Sequence, residues 1–271
     1  MEQHASWLTH LVNHYLGPLA LTLLGALHIT PTHRETPIPE HVVMSLAVLV
    51  LVTVLALILR SRLSVERPGG TQQVAEMLLT NPMGFGIRDL LDENAGHEGR
   101  RFLAFTGAIS IFILFANLLG VVPLFSSPTG EKSVPLGCAL LTFVYFNWHG
   151  IRHHGPAGYL KHFAGPVWWL AELIFPVEII STTARVLSLT VRLWANIFAS
   201  DLIYALFLGL LLQPVVWAES KSRVLALVLG VFPALIPLIF IALHIFVSVI
   251  QAYVFTVLPS IYLGMATAEE H

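Results

Sequence analysis

Apolar and polar stretches alternate along this chain on the length scale of a lipid bilayer. A membrane-crossing helix needs about 20 mostly apolar residues. The first such run extends from His41 to Leu59 and stops at Arg60 and Arg62. A polar loop follows from Ser64 to Arg101. Pro68, Gly69 and Gly70 break any helix there, and Gln72–Leu79 has room for a short amphipathic turn or two. Asp89, Asp92, Glu93, Glu98, Arg100 and Arg101 in this loop read as solvated. The second run is Phe102–Leu119, closed by Pro123, and Ser126–Lys132 is a tight polar turn. The third run is Val134–Trp148, and a basic, His-containing loop runs from Arg152 to Pro166.

Two longer apolar tracts finish the chain, Val167–Leu212 and Val224–Leu263. At 1.5 Å per residue each reaches roughly 60 Å if wholly helical. A perpendicular crossing needs about 30 Å. Each tract must therefore tilt steeply, bend, or hold two short spans. Pro176, Pro233 and Pro237 are the candidate bends. The polar turn Pro214–Arg223 between them predicts an antiparallel helical hairpin. The pattern predicts an all-α, polytopic membrane protein of about five helices, two of them long and steeply tilted.

The N-terminal stretch differs. Leu16–Ile29 is apolar but short, and is interrupted by Pro18 and His28. No Lys or Arg precedes Arg34, so the basic segment of a signal peptide is missing. Residues 1–40 read as an extramembrane or interfacial segment, with a cleaved signal peptide as the alternative, and residues 41–271 as the membrane domain. With five crossings, one side collects Arg60, Arg62, Arg67, Arg88, Arg100, Arg101, Arg152 and Lys161. The other holds Arg34, Lys132, Lys221 and Arg223. Basic loops stay inside, which puts the N-terminus outside and the C-terminus, with Glu269 and Glu270, in the cytoplasm.

Composition excludes several function classes. Hydrophobic residues make up 56% of the chain and charged residues 11%, against about 25% charged in soluble domains. A net charge of −2 gives no electrostatic case for nucleic-acid binding. Cys138 stands alone, so no internal disulfide or cysteine-based zinc site can form. No phosphate-binding Gly-x-x-x-x-Gly-Lys-Ser/Thr motif occurs, so any nucleotide chemistry belongs to another chain. His149, His153 and His154 have metal-ligand spacing, but the segment reads as a loop start and no carboxylate or Cys completes a ligand set.

Arg192 sits inside the first long tract. A charge at the centre of a bilayer costs about 3 kcal/mol on insertion scales, and more on a lone helix. Arginine is also effectively never deprotonated in a protein. The chain thus keeps a fixed cation within the membrane, the footprint of ion or proton handling. At 100° per residue from Arg192, Glu178 falls at about +40°, Ser181 at −20°, Arg185 at +20°, Ser188 at −40° and Asn196 at +40°. A polar seam this narrow on an apolar helix implies a water-accessible groove or a polar partner surface. Glu178 is about 21 Å from Arg192 along the axis, so the counter-charge of Arg192 comes from elsewhere in space or from another subunit.

Asp201 falls about 180° from Arg192 and about 13 Å along the helix. In the last tract His244, Ser248 and Gln251 share a face, and Tyr262 returns to it. If the hairpin packs antiparallel, Asp201, His244 and Gln251 can meet, and bridged by water they form a proton relay. Plainer readings stand beside this one. A membrane His or Gln is often a hydrogen-bonded packing residue, and Ser181, Ser188 and Ser248 taken singly are back-bonding hydroxyls. Arg185 and Glu178 can simply satisfy each other.

At these residues the chain resembles F-type ATP synthase subunit a. The resemblance lies in Ser188-Leu189-Thr190-Val191-Arg192-Leu193-Trp194-Ala195-Asn196, followed by Asp201-Leu202-Ile203. It continues in His244, in Gln251-Ala252-Tyr253-Val254-Phe255 and in Tyr262-Leu263. Upstream, Phe115-Ala116-Asn117-Leu118-Leu119-Gly120-Val121-Val122-Pro123 fits the same pattern. It covers about Phe102 to the C-terminus. Asp201 stands where Glu is common, and Gly120 where some relatives carry an acidic residue.

The resemblance implies a membrane stator whose two long tilted helices lie against a rotating ring of c subunits, each with one essential carboxylate. It makes Arg192 the essential arginine between two offset aqueous half-channels. Asp201, His244 and Gln251 match the outward half-channel, Glu178, Arg185 and Ser188 the cytoplasmic exit, and Asn196 a polar position beside the arginine. It implies no cofactor and no bound metal. The partners are the c ring, the peripheral-stalk b subunits, the rest of the ATP synthase and the lipid bilayer. The location is the bacterial plasma membrane. Two rivals are a secondary transporter, which favours internal repeats and broken helices, and a non-translocating scaffold.

Overall fold

The computed structural model describes residues 6–26, 36–81, 84–96, 99–122, 125–164 and 168–267. His28, Arg34, Glu98, Pro123, Pro166, Glu269 and Glu270 lie outside the described residues. The described chain forms α-helices and short 3-10 turns, with no strand among the described residues. The helices are α1 (Trp7–Ala26), α2 (Glu40–Ser61), α3 (Gly70–Leu79), α4 (Ile87–Ala95), α5 (Gly99–Leu119), α6 (Ser133–Ala164), α7 (Ala171–Glu219) and α8 (Arg223–Thr267). Among the described residues, five segments are long and apolar enough to cross a membrane: α2, α5, Ser133–Tyr159, α7 and Pro237–Ala266. The all-α, five-span expectation is met.

The bundle core follows from two matching repeats. On α5, Phe102, Thr106, Ile109, Ile113 and Asn117 are buried, in steps of three and four. On α8, His244, Ser248, Gln251 and Phe255 repeat the same steps. Such seams let two helices lie almost parallel in knobs-into-holes contact. The pair is antiparallel, because Asn117 meets His244 at one end and Ser110 meets Thr256 further on. Leu189 and Leu193 of α7 and Cys138 and Ala139 of α6 close the core around Ile113 and Phe255. α2 buries only Val43, Met44 and Val48, and most of its remaining surface is exposed, as a lipid-facing helix requires.

Three boundaries differ from the sequence reading. The segment Ser64–Arg101 is not merely a solvated loop: besides α3, where the sequence left room for a short amphipathic turn or two, it holds α4, which buries Ile87, Leu90 and Leu91 in the bundle. Of its carboxylates, Asp89 accepts the Asn81 N–H at 2.7 Å and Asp92 lies 3.6 Å from Arg88. The third helix runs past Arg152, is interrupted at Gly155, whose non-helical backbone (φ 73°) glycine adopts without steric cost, and resumes as a second helical stretch to Ala164. The loop start read at His149 is therefore helix, and His149 bonds the Tyr145 carbonyl at 3.0 Å. The turn of the hairpin is also shorter than Pro214–Arg223, because α7 runs through Pro214 to Glu219 and only Ser220–Ser222 separate it from α8.

α7 spans 49 residues and α8 45, about 73 and 67 Å of helix. Each is continuous through the prolines offered as bends. Residues 7–26 form a helix that the sequence reading did not place. The buried Asn13 ties it to the chain entering α2, with its amide on the Ile38 carbonyl at 3.0 Å and its oxygen on the Ile38 N–H at 2.9 Å.

Candidate functional site

The polar seam of α7 divides into two parts. In its first half Glu178 and Arg185 form an ion pair at 3.5 Å, one of the alternatives the sequence left open. The Arg185 guanidinium also lies 4.9 Å over the Tyr262 ring of α8, a cation–π contact. Ser181 is half-buried along this stretch. In the second half Ser188, Arg192 and Asn196 are all exposed. Among the described residues, none forms a hydrogen bond with these three side chains, and no carboxylate lies within 4.0 Å of Arg192. Their neighbours Leu187 and Val191 are exposed too. The chain thus presents a fixed cation on an apolar helix surface.

On the other side of α7 the structure builds a buried polar knot. His244 is 7% exposed, and its Nε2 lies 3.0 Å from the Asn117 carbonyl oxygen at the end of α5. Its Nδ1 lies 3.5 Å from Ser200 Oγ of α7. The fully buried Asn117 accepts the Thr129 hydroxyl through Oδ1. Ser127 reaches the Ala116 carbonyl at 3.1 Å and Thr129 Oγ1 at 2.7 Å. Gly120 lets the groups pack closely here: a Cβ would lie 3.0 Å from Ser127 Cβ and 3.4 Å from His244 Nε2, so those neighbours would have to give way.

The expected trio of Asp201, His244 and Gln251 is only partly assembled. Asp201 lies beside the turn carrying Gly130 and within electrostatic reach of His244. No hydrogen bond links the three, because His244 is held by Asn117 and Ser200 instead. Gln251 follows two helical turns along α8, 2% exposed, and its Oε1 has no hydrogen-bond partner. Asn117 Nδ2 is likewise buried and unpartnered. A spare donor and a spare acceptor thus lie along the same α5–α8 seam. Further along it, Ser110 and Thr256 bond each other at 2.6 Å.

Sequence reasoning missed Asn117, Ser127, Thr129 and Ser200 as site residues. Asn117 carried a signal, as an amide inside an apolar run. Thr129 carried none, since nothing separates it from any polar turn residue.

Residues 42–264 match the family model described as ATP synthase A chain. ATP synthase subunit a of Koribacter versatilis is 37% identical over 268 residues, covering 99% of this chain and 99% of that protein. The subunit a of Solibacter usitatus is 41% identical over 259 residues, covering 96% and 99%. That of Desulfosudis oleivorans is 41% identical over 204 residues, 75% of this chain and 78% of its own length. With a family match across most of its length and relatives aligned end to end, this chain belongs to the ATP synthase subunit a family.

Proposed function

We propose that the chain is the proton-translocating stator of a rotary F-type ATP synthase, with Arg192 as the fixed charge that separates two half-channels. The observation that carries this reading is the exposed Arg192, with no carboxylate beside it among the described residues, on the polar seam of the otherwise apolar α7. A cation in that position needs an anion from another subunit. A carboxylate on each c subunit supplies it. Near Arg192 that carboxylate is held ionised, because an opposite charge within about 4–6 Å favours the charged form. It gives up its proton to one half-channel and is reloaded from the other after the ring turns. Arg192 cannot relay the proton itself, so the two half-channels stay separate.

The outward path takes Asp201, His244 and Gln251, with Asn196 beside the arginine. The knot at His244 and the spare hydrogen-bonding groups of Asn117 and Gln251 support it. The cytoplasmic path takes Glu178, Arg185 and Ser188, supported by the Glu178–Arg185 pair. Helices longer than the membrane is thick lie along the ring at a steep tilt. The chain catalyses no covalent chemistry and needs no cofactor, as nucleotide turnover belongs to other subunits. It meets the c ring, the b subunits of the peripheral stalk and the rest of the synthase in a bacterial plasma membrane. Residues 1–40 are outside, the membrane domain is 41–271, and the C-terminus is cytoplasmic. One elementary charge moved through 100 mV supplies about 2.3 kcal/mol.

Cysteine cross-linking tests the docked face. With Cys138 replaced by Ala, Ser188→Cys and Asn196→Cys should each form a disulfide with a cysteine placed beside the c-subunit carboxylate. Cross-linking from Val50→Cys on the exposed face of α2 but from neither α7 position would overturn the arrangement.

A further inference from the structure

We infer that Thr129 is a positioning residue of the outward proton path, acting through Asn117 on His244. The inference rests on the proposed function, in that His244 must carry protons there. A main-chain carbonyl only accepts hydrogen bonds, so the His244 nitrogen facing Asn117 carries a hydrogen. In the neutral ring Nδ1 is then the acceptor, and it faces Ser200 on the α7 side that bears Asp201. The Asn117 carbonyl therefore decides which nitrogen exchanges protons and where it points.

That carbonyl lies in the last turn of α5, where carbonyls lack their usual i+4 partner. It is bonded by the Gly120 N–H at 3.1 Å and by His244. The Asn117 side chain is itself held by the turn Ser127–Gly130. Thr129, fully buried, donates its hydroxyl to the Asn117 amide oxygen. Having spent its proton there, Thr129 accepts from Ser127, whose single hydroxyl hydrogen is shared between Thr129 and the Ala116 carbonyl. The next residue, Gly130, abuts α7: a Cβ there would lie 3.5 Å from Ile197 Cγ2 and 4.0 Å from Asp201 Oδ2. Ser126 anchors the same turn to Glu40 of α2 at 2.9 Å. One short turn thus holds the side chain of the residue whose carbonyl anchors His244, and forms the wall beside Asp201. Thr129 has no surface from which to exchange a proton with water, so its effect passes through the groups it orients.

The test uses the whole ATP synthase in liposomes, reading proton conduction as ATP-driven pumping per assembled complex. Thr129→Val keeps the shape and removes the hydroxyl, and conduction should fall about tenfold, as misplacing a reacting group does. Thr129→Ser restores the hydroxyl and should return conduction close to wild type. In a His244→Ala background, Thr129→Val should add nothing. Normal conduction in Thr129→Val overturns the inference, as does equal loss in Thr129→Ser or an undiminished effect without His244. If Thr129→Val does not assemble, Ser127→Ala should lower conduction and Ser127→Thr restore it, and wild-type behaviour of Ser127→Ala overturns the inference. If His244→Ala and Asp201→Asn both conduct normally, the outward-path reading itself falls. If they are impaired while Thr129→Val is normal, only the role of Thr129 falls.

Discussion

His244 Nε2 lies 3.0 Å from the main-chain oxygen of Asn117, so the histidine of α8 is fastened to the end of α5. Gly120 makes room for this contact. Gly120→Ala puts a methyl group 3.4 Å from the imidazole and 3.0 Å from Ser127 Cβ. ATP-driven pumping per assembled complex should fall a few-fold, and Gly120→Val should be worse, as overpacking costs about 1–3 kcal/mol. Equal activity of all three proteins would refute this packing.

The Glu178–Arg185 pair makes a different prediction. Both side chains are partly exposed, 38% and 20%, so the pair contributes less than about 1 kcal/mol to stability. Glu178→Gln should leave the thermal midpoint of the purified complex nearly unchanged while lowering pumping several-fold. Arg185 keeps its contact with Tyr262 in that variant. A variant that loses stability but pumps normally would make the pair a structural feature only.

The Ser110–Thr256 bond joins α5 to α8 within the bundle. Each hydroxyl also faces its own helix backbone, at the Thr106 and Ala252 carbonyls. Membrane hydrogen bonds of this kind contribute about 0.6 kcal/mol on average. A double-mutant cycle with Ser110→Ala and Thr256→Ala should give a coupling of that order in unfolding of the complex. Pumping should stay close to wild type, since neither hydroxyl is placed on a proton path.

Arg192→Lys keeps the charge but not the function. A desolvated lysine loses its proton readily and lacks the planar fork of arginine. Coupled pumping should be defective in this variant, and proton flux uncoupled from ATP hydrolysis should rise. Normal coupling would show that any cation suffices.

The spans were legible because about 20 apolar residues bounded by Arg or Pro leave a membrane helix little freedom. The seam on α7 was legible because 100° spacing fixes which residues share a face. The boundaries that failed have a common cause. Pro214 punctuates a soluble chain, but here α7 runs through it, and the non-helical backbone at Gly155 breaks α6 for one residue without opening a loop. α4 was missed because it is nine residues long and polar on one face, and its apolar face is meaningful only against α5 and α8. The His244 knot was illegible for the same reason. Its partners come from α5, a 3-10 turn and α7, and no spacing in one segment records a contact 127 residues away. The sequence offered Asp201, His244 and Gln251 as groups that can meet through water, and it could not show that Asn117 and Ser200 take the two imidazole nitrogens.

The most direct test of the central claim is ATP-driven proton pumping in inverted vesicles, comparing wild type with Arg192→Ala. Assembly is checked by recovery of the c ring with the chain. The account predicts that pumping vanishes while the assembled complex keeps its ring. Unchanged pumping by Arg192→Ala would contradict it, because no other cation among the described residues is exposed at the middle of α7.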